Sequence, residues 1–143
     1  MKDFNLWNTE KQKIELRDSR IIQCHKRQIW LCAIGENIGA EISKSNPFVR
    51  PVLIVKLFFG GLVLVVPLTS QYKDFLKEYL LKIDSKKYGL NKDSYLMLNQ
   101  FRIISKKRLI RQVNGVKKNK VLIPLFDNDK FQEILNKISS NFR

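Results

Sequence analysis

The chain is short of the residues that metal and nucleophile chemistry most often use. Its 143 residues hold one histidine, His25, and two cysteines, Cys24 and Cys32. With His25 as the only histidine and a lone cysteine pair without metal spacing, neither a zinc site nor a histidine-based triad is expected, and no metal or cofactor is implied. Two cysteines give no disulfide framework, which makes a reducing cytoplasm the default setting. A charged stretch leading into an apolar core and a small-residue cleavage site is also missing from the start, so no secretory signal is read there. Internal repeats and low-complexity segments are lacking, and the length suits a single domain.

Carboxylates are scarce against the cations. Thirteen Asp and Glu face 27 Lys and Arg, a formal net charge of +14. The excess is uneven. Arg102, Lys106, Lys107, Arg108, Arg111, Lys117, Lys118 and Lys120 fall within nineteen residues that hold no acidic side chain. Such a concentration beside apolar strand residues favours a polyanionic partner, either nucleic acid or an acidic protein segment. A solubilising surface is the bland alternative.

The most apolar stretch, "RPVLIVKLFFGGLVLVVPLTS" at 50–70, is long enough for the roughly 20 residues of a membrane span. Lys56 inside it, Gly60-Gly61 at its middle and the β-branched residues of both halves read instead as a hairpin. With a two-residue Gly60-Gly61 loop, Phe59 pairs with Leu62, Val52 with Thr69 and Arg50 with Gln71. Arg50 and Thr69 then project from one face as diagonal neighbours, about 7–8 Å apart. A guanidinium beside a hydroxyl at the open end of a hairpin suits a phosphate. Read locally, a solvated strand-end arginine is the favoured explanation of the pattern.

The rest divides readily. Residues 3–18 carry Asp3 as N-cap and Phe4, Trp7 and Ile14 at helical spacing. "RQIWLCAIG" (27–35) reads as a strand, and 36–48 as a loop long enough to cover a site. "YKDFLKEYLLKI" fits helix or strand. "SYLMLNQFRII" (94–104) reads as one strand with Leu96, Leu98, Gln100, Arg102 and Ile104 on a shared face. "DKFQEILNKISSNF" places Phe131, Ile134, Leu135 and Ile138 on a helical stripe, with Asp129 and Gln132 as a capping box. The sum is an α+β chain, a small barrel or curved sheet with a C-terminal helix.

"WLCAIGENIGAE", "RPVLIVK", "VVPLTS" and "KKYGLNKDSYLMLNQFRIISKKRL", followed by an amphipathic helix, occur in an order that resembles the PemK/MazF family of type II toxins. The resemblance covers about residues 27–140. It implies a small SH3-like β-barrel at 26–143, with residues 1–25 as an extra N-terminal helical extension. It also implies a homodimer that cleaves single-stranded RNA without a metal, away from any membrane, and that an acidic antitoxin holds in check.

By the same resemblance Arg50 and Thr69 match the family's catalytic arginine and threonine, and Glu41 its loop glutamate. Gln100 and Arg102 match a pair lining the RNA groove; Ser70, Lys106, Lys107 and Arg108 are taken as further RNA contacts. Met97 and Asn99 stand where some members carry an arginine and an aspartate. The implied reaction transfers a phosphodiester onto its neighbouring 2′-hydroxyl, leaving a cyclic phosphate and a 5′-hydroxyl. It needs a base, here Glu41, an acid, and positive charge at phosphorus, here Arg50 with Thr69 orienting the phosphate. A barrel that binds RNA or an acidic peptide without cutting is the alternative expectation. A purely structural subunit accounts poorly for the basic cluster.

Overall fold

The computed structural model describes residues 1–113 and 126–142. Lys117, Lys118 and Lys120 of the basic cluster lie outside them. The elements run α1 (Phe4–Glu15), β1 (Ile29–Ala33), β2 (Val49–Leu57), β3 (Leu62–Thr69), β4 (Leu80–Ile83), β5 (Ser94–Met97), β6 (Arg102–Ser105), β7 (Leu109–Gln112) and α2 (Asn128–Ser140). Short 3₁₀ turns occupy Ser19–Ile21, Asp74–Leu76 and Lys106–Arg108. The ambiguous segment after Tyr72 is therefore a 3₁₀ turn followed by a strand.

All strand pairs in the described residues are antiparallel, in the order β4-β5-β3-β2-β1-β7, with β6 also on β3. This is the α+β class expected. Among the described residues no ladder joins the edges β4 and β7, so the sheet is not closed by hydrogen bonds. β3 is its pivot. Its first half pairs with β6 from Leu62 to Val65, and its last residues, Leu68 and Thr69, pair with β5. Pro67, which has no N–H to give, falls at the switch between the two.

The apolar run at 50–70 is the β2–β3 hairpin, and no helix among the described residues is long and apolar enough to cross a membrane. Its run is continuous because both faces are covered. Leu53, Val55, Val66 and Leu68 join a core with Leu96, Leu98 and the α2 residues Phe131, Ile134 and Ile138. Val52, Ile54, Val63 and Val65 join a second core with Trp30, Cys32, Ile104 and Leu109. Burying an aliphatic or aromatic side chain of this size stabilises by about 1.5–3 kcal/mol, so the three α2 anchors suffice to dock that helix.

The register differs from the two-residue loop expected. The Phe58 amide donates to the Leu62 carbonyl at 2.8 Å, so the loop is Phe59, Gly60 and Gly61. Both glycines have positive φ, 83° and 78°, a conformation that other residues adopt only with strain. A bulge between Ile54 and Lys56 then adds a residue to β2, and Val52 faces Pro67 instead of Thr69. Before the bulge the two irregularities sum to a shift of two residues, so parity is kept there and Arg50, Val52 and Thr69 stay on one face. From Lys56 to the loop the shift is one, and the pairing changes face.

Two further expectations are corrected. Residues 94–104 are two strands, broken at 98–101, so their alternate residues do not share one continuous face. The α2 cap is Asp127, whose carboxylate accepts from the Lys130 amide, and not Asp129. Asp3 does cap α1, accepting from the Leu6 amide at 2.9 Å. Trp7 anchors that helix, its ring 5.2 Å from the ring of Phe48, while Phe4 is exposed.

Candidate active site

Arg50 sits on β2 between β1, where it pairs with Cys32, and the end of β3. Carrying the Val52–Pro67 offset two residues further sets Thr69 directly across from it. Arg50 and Thr69 both line a cavity of about 480 Å³, and Ser70 lines it too. Among the described residues that line it, the cations are Lys44, Arg50, Lys92 and Arg111, and none is a carboxylate. A concave, polar, cationic wall of this kind suits a phosphate.

The guanidinium is held on both sides. Nη1 donates to the Leu68 carbonyl at 3.1 Å and Nη2 to the Ser43 carbonyl at 2.9 Å. Nε is buried with no partner among the described residues. Burial lowers the Arg50 pKa from its ordinary value, since the low dielectric disfavours the charged form. An arginine remains cationic at neutral pH all the same. Thr69 Oγ1 accepts from the Gln71 amide at 3.1 Å, which orients the hydroxyl and leaves its proton to donate.

The loop at 36–48 is pinned from three directions. Ser43 Oγ accepts from the Asn37 amide at 2.7 Å, and Asn37 Nδ2 donates to the Ile42 carbonyl at 2.7 Å. Gln100 reaches across from the β5–β6 break, Oε1 accepting from the Ile42 amide and Nε2 donating to the Ala40 carbonyl, each at 3.0 Å. Its amide thus grips the backbone on either side of Glu41. Glu41 itself is exposed and outside the cavity lining.

Other expected contacts are engaged elsewhere. Lys107 Nζ donates to the Glu15 carbonyl at the end of α1 at 2.8 Å, and Arg17 donates back to the Lys107 carbonyl. Arg108 donates to the Ala33 carbonyl at 3.2 Å and lies 5.6 Å from the Trp7 ring. Burial lowers its pKa, with the charge of Arg102 adding to the effect. Lys106 lines a separate cavity with Ile22, Cys24 and Phe58, and Arg102 stands opposite Val65 on β6. Neither lines the Arg50 cavity.

The structure therefore gathers Arg50, Thr69 and Ser70, and keeps Glu41, Gln100, Arg102 and Lys106–Arg108 out of that cavity. Lys44 and Lys92 were not singled out from sequence. They arrive on loops, where no periodicity marks a shared face. Among the described residues no group of three or more His, Cys, Asp or Glu could hold a metal ion.

Residues 25–141 match the family described as "PemK-like, MazF-like toxin of type II toxin-antitoxin system". A curated relative, "Endoribonuclease EndoA" of Bacillus subtilis (strain 168), is 33% identical over 89 residues, spanning 59% of this chain and 73% of the relative. The fold is shared with solved structures. MazF (Form-I) from Deinococcus radiodurans superposes with a TM-score of 0.61 at 15% identity, covering 83% of this chain and 96% of that one. The Form-II MazE-MazF structure from the same organism gives 0.56 at 14%, covering 83% and 95%. Mycobacterium tuberculosis toxin MazF-mt6 gives 0.53 at 18%, covering 80% and 94%.

Proposed function

The chain belongs to the family of PemK-like and MazF-like toxins of type II toxin–antitoxin systems, and from that premise we propose that it is an endoribonuclease whose target phosphate sits against Arg50 and Thr69. The observation that carries the proposal is the shared cavity: a half-buried guanidinium, a hydroxyl with a proton to give and, among the described residues, three further cations and no carboxylate.

The reaction is an internal transfer. The 2′-oxygen attacks phosphorus, an O2′–P bond forms, the P–O5′ bond breaks, and the products are a cyclic phosphate and a 5′-hydroxyl. Negative charge grows on the non-bridging oxygens as the bond forms. Arg50, fixed by two carbonyls, needs no reorganisation to meet that charge, which is where a preorganised donor contributes most. Thr69 donates to the same oxygens, with Ser70 beside it. These protein cations supply the charge, so cleavage is proposed to proceed without a metal.

The 2′-proton goes to Glu41, whose loop Gln100 grips on both sides, and the 5′-oxygen takes its proton from Arg50. Arg50 regains one from water as Glu41 releases its own, so both return to their charged forms. Gln100 thus acts through the loop, and Lys44, Lys92 and Arg111 hold the RNA backbone. Residues 1–25 form an extension on a domain that begins near residue 26. A homodimer is proposed on family membership, with the cytoplasm as its place of action. Its inhibitor is an acidic antitoxin segment competing for the cationic cavity, an idea supported by the net charge of +14.

The second reading, a module that binds RNA or an acidic peptide without cutting it, is favoured by one observation: Glu41 does not line the cavity. Incubation of the protein with single-stranded RNA in EDTA separates the two. Products ending in a cyclic phosphate support the enzyme; intact RNA bound in a salt-sensitive manner supports the module.

A further inference from the structure

The cavity seats a phosphate but offers no obvious place for a base. The strand register shows where one could lie. Tyr95 on β5 is the partner of Thr69 on β3, and Lys82 on β4 is the partner of Tyr95. Partnered residues project from the same side of a sheet with β-carbons about 4.5–5.5 Å apart. Thr69, Tyr95 and Lys82 therefore form a row leading away from the cavity. The neighbouring row, Leu68 and Leu96, is buried in the core, so this one is on the outer face. Lys82 is partly neutralised, its ammonium 3.9 Å from the Asp93 carboxylate.

Three residues past Thr69 the chain turns back and sets Tyr72 against Tyr95. Their ring centroids are 5.4 Å apart, with the planes inclined by 46°. Tyr72 is 49% exposed and belongs to neither hydrophobic core, and among the described residues its hydroxyl has one distant contact, with Asp74 at 3.4 Å. The pair is an aromatic ledge, Tyr72 exposed and Tyr95 half-buried beneath it, one residue from a cationic phosphate pocket. Exposed aromatic rings beside such a pocket match single-stranded nucleic acid, which joins a charged backbone to flat rings. An acidic peptide would match the cations but has no general use for the rings.

We propose that Tyr72 and Tyr95 form a stacking platform for the nucleobase flanking the phosphate held at Arg50 and Thr69. This rests on the endoribonuclease reading and extends it to how the substrate is seated. Stacking accepts any base, so the platform sets affinity and register along the strand, not base identity.

The test uses an oligoribonucleotide with a 2′-deoxy sugar at the mapped cleavage point, which removes the nucleophile and keeps the strand whole. A second oligonucleotide carries in addition an abasic site next to that position. Binding of each to wild type, Tyr72→Ala and Tyr72→Trp is measured by fluorescence anisotropy at fixed salt. Wild type should lose about tenfold in affinity on going to the abasic strand, and Tyr72→Ala a similar factor on the intact strand. On the abasic strand Tyr72→Ala should lose nothing further, and Tyr72→Trp should bind the intact strand like wild type. Wild-type affinity in Tyr72→Ala, or two losses that multiply, overturns the platform while cleavage by wild type leaves the enzyme reading standing. Absence of both RNA binding and cleavage in wild type overturns both. Loss of acidic-peptide binding with RNA binding intact reassigns the ledge to a protein partner and overturns the proposal.

Discussion

Arg50 Nη2 lies 2.9 Å from the carbonyl oxygen of Ser43, so the arginine on β2 and the loop that precedes it are joined through the reactive group itself. The other arm of the same guanidinium holds Leu68, the residue before Thr69. One planar cation thus sets the spacing of loop, strand and hydroxyl. Lysine carries its charge on a single ammonium at the end of a flexible stem and has no such fork. Arg50→Lys should therefore keep the charge and still lose about 10²–10³ in kcat, the cost of removing one preorganised donor. Cleavage rates at saturating RNA decide it, and a rate near wild type would mean that charge alone suffices.

Gln100→Ala removes both bonds that grip the loop around Glu41. At about 0.5–1.5 kcal/mol per bond, the loop should lose roughly 1–3 kcal/mol of local stability with little effect on global unfolding. Faster proteolysis confined to residues 36–45, together with a lower kcat and an unchanged Tm, is the expected signature. An equal rate of nicking in the two proteins would show that other contacts hold the loop.

Trp7 fills the space above Gly35. A β-carbon on Gly35 would lie 1.9 Å from Trp7 Cε2, and the backbone there has φ +74°. Gly35→Ala should displace α1, read as a red shift of tryptophan emission and loss of helical circular dichroism. In a Trp7→Ala background the clash is gone. The same substitution should then cost only the left-handed backbone term, about 1–2 kcal/mol. Equal costs in the two backgrounds would place the strain elsewhere.

The Cys32 thiol is pushed up to about 12 by burial, from an ordinary value of 9.0. The unfolded chain ionises first, so the stability this thiol contributes is present below pH 9 and is lost as pH rises towards 12. Native protein at pH 8 should leave Cys32 unmodified by iodoacetamide, and denatured protein should not. Mass spectrometry of the alkylated chain measures this directly. Cys24 is buried as well, and its pKa is also raised, burial being the main cause.

The hairpin was legible because β-branched residues on both sides of a Gly-Gly pair leave few other options. Its register was not, since neither a three-residue loop nor a bulge at Val55 leaves a mark in composition. The face assignment of Arg50 and Thr69 survived only because the two departures together shift the pairing by an even number. Residues 94–104 alternate well enough to read as one strand, and nothing local announces the break at 98–101, where Gln100 turns to the loop instead. Lys107 and Arg108 read as RNA contacts, yet α1 engages both, a long-range contact that no pattern of spacing encodes. Lys44 and Lys92 reach the cavity from loops and were invisible for the same reason.

The most direct measurement compares wild type and Arg50→Ala on single-stranded RNA in EDTA, with the new ends mapped and folding checked by circular dichroism. The account predicts cyclic-phosphate ends from wild type and no cleavage above background from the variant, with the two spectra superimposable. Cleavage by Arg50→Ala at a rate near that of wild type, at the same phosphates, would contradict it.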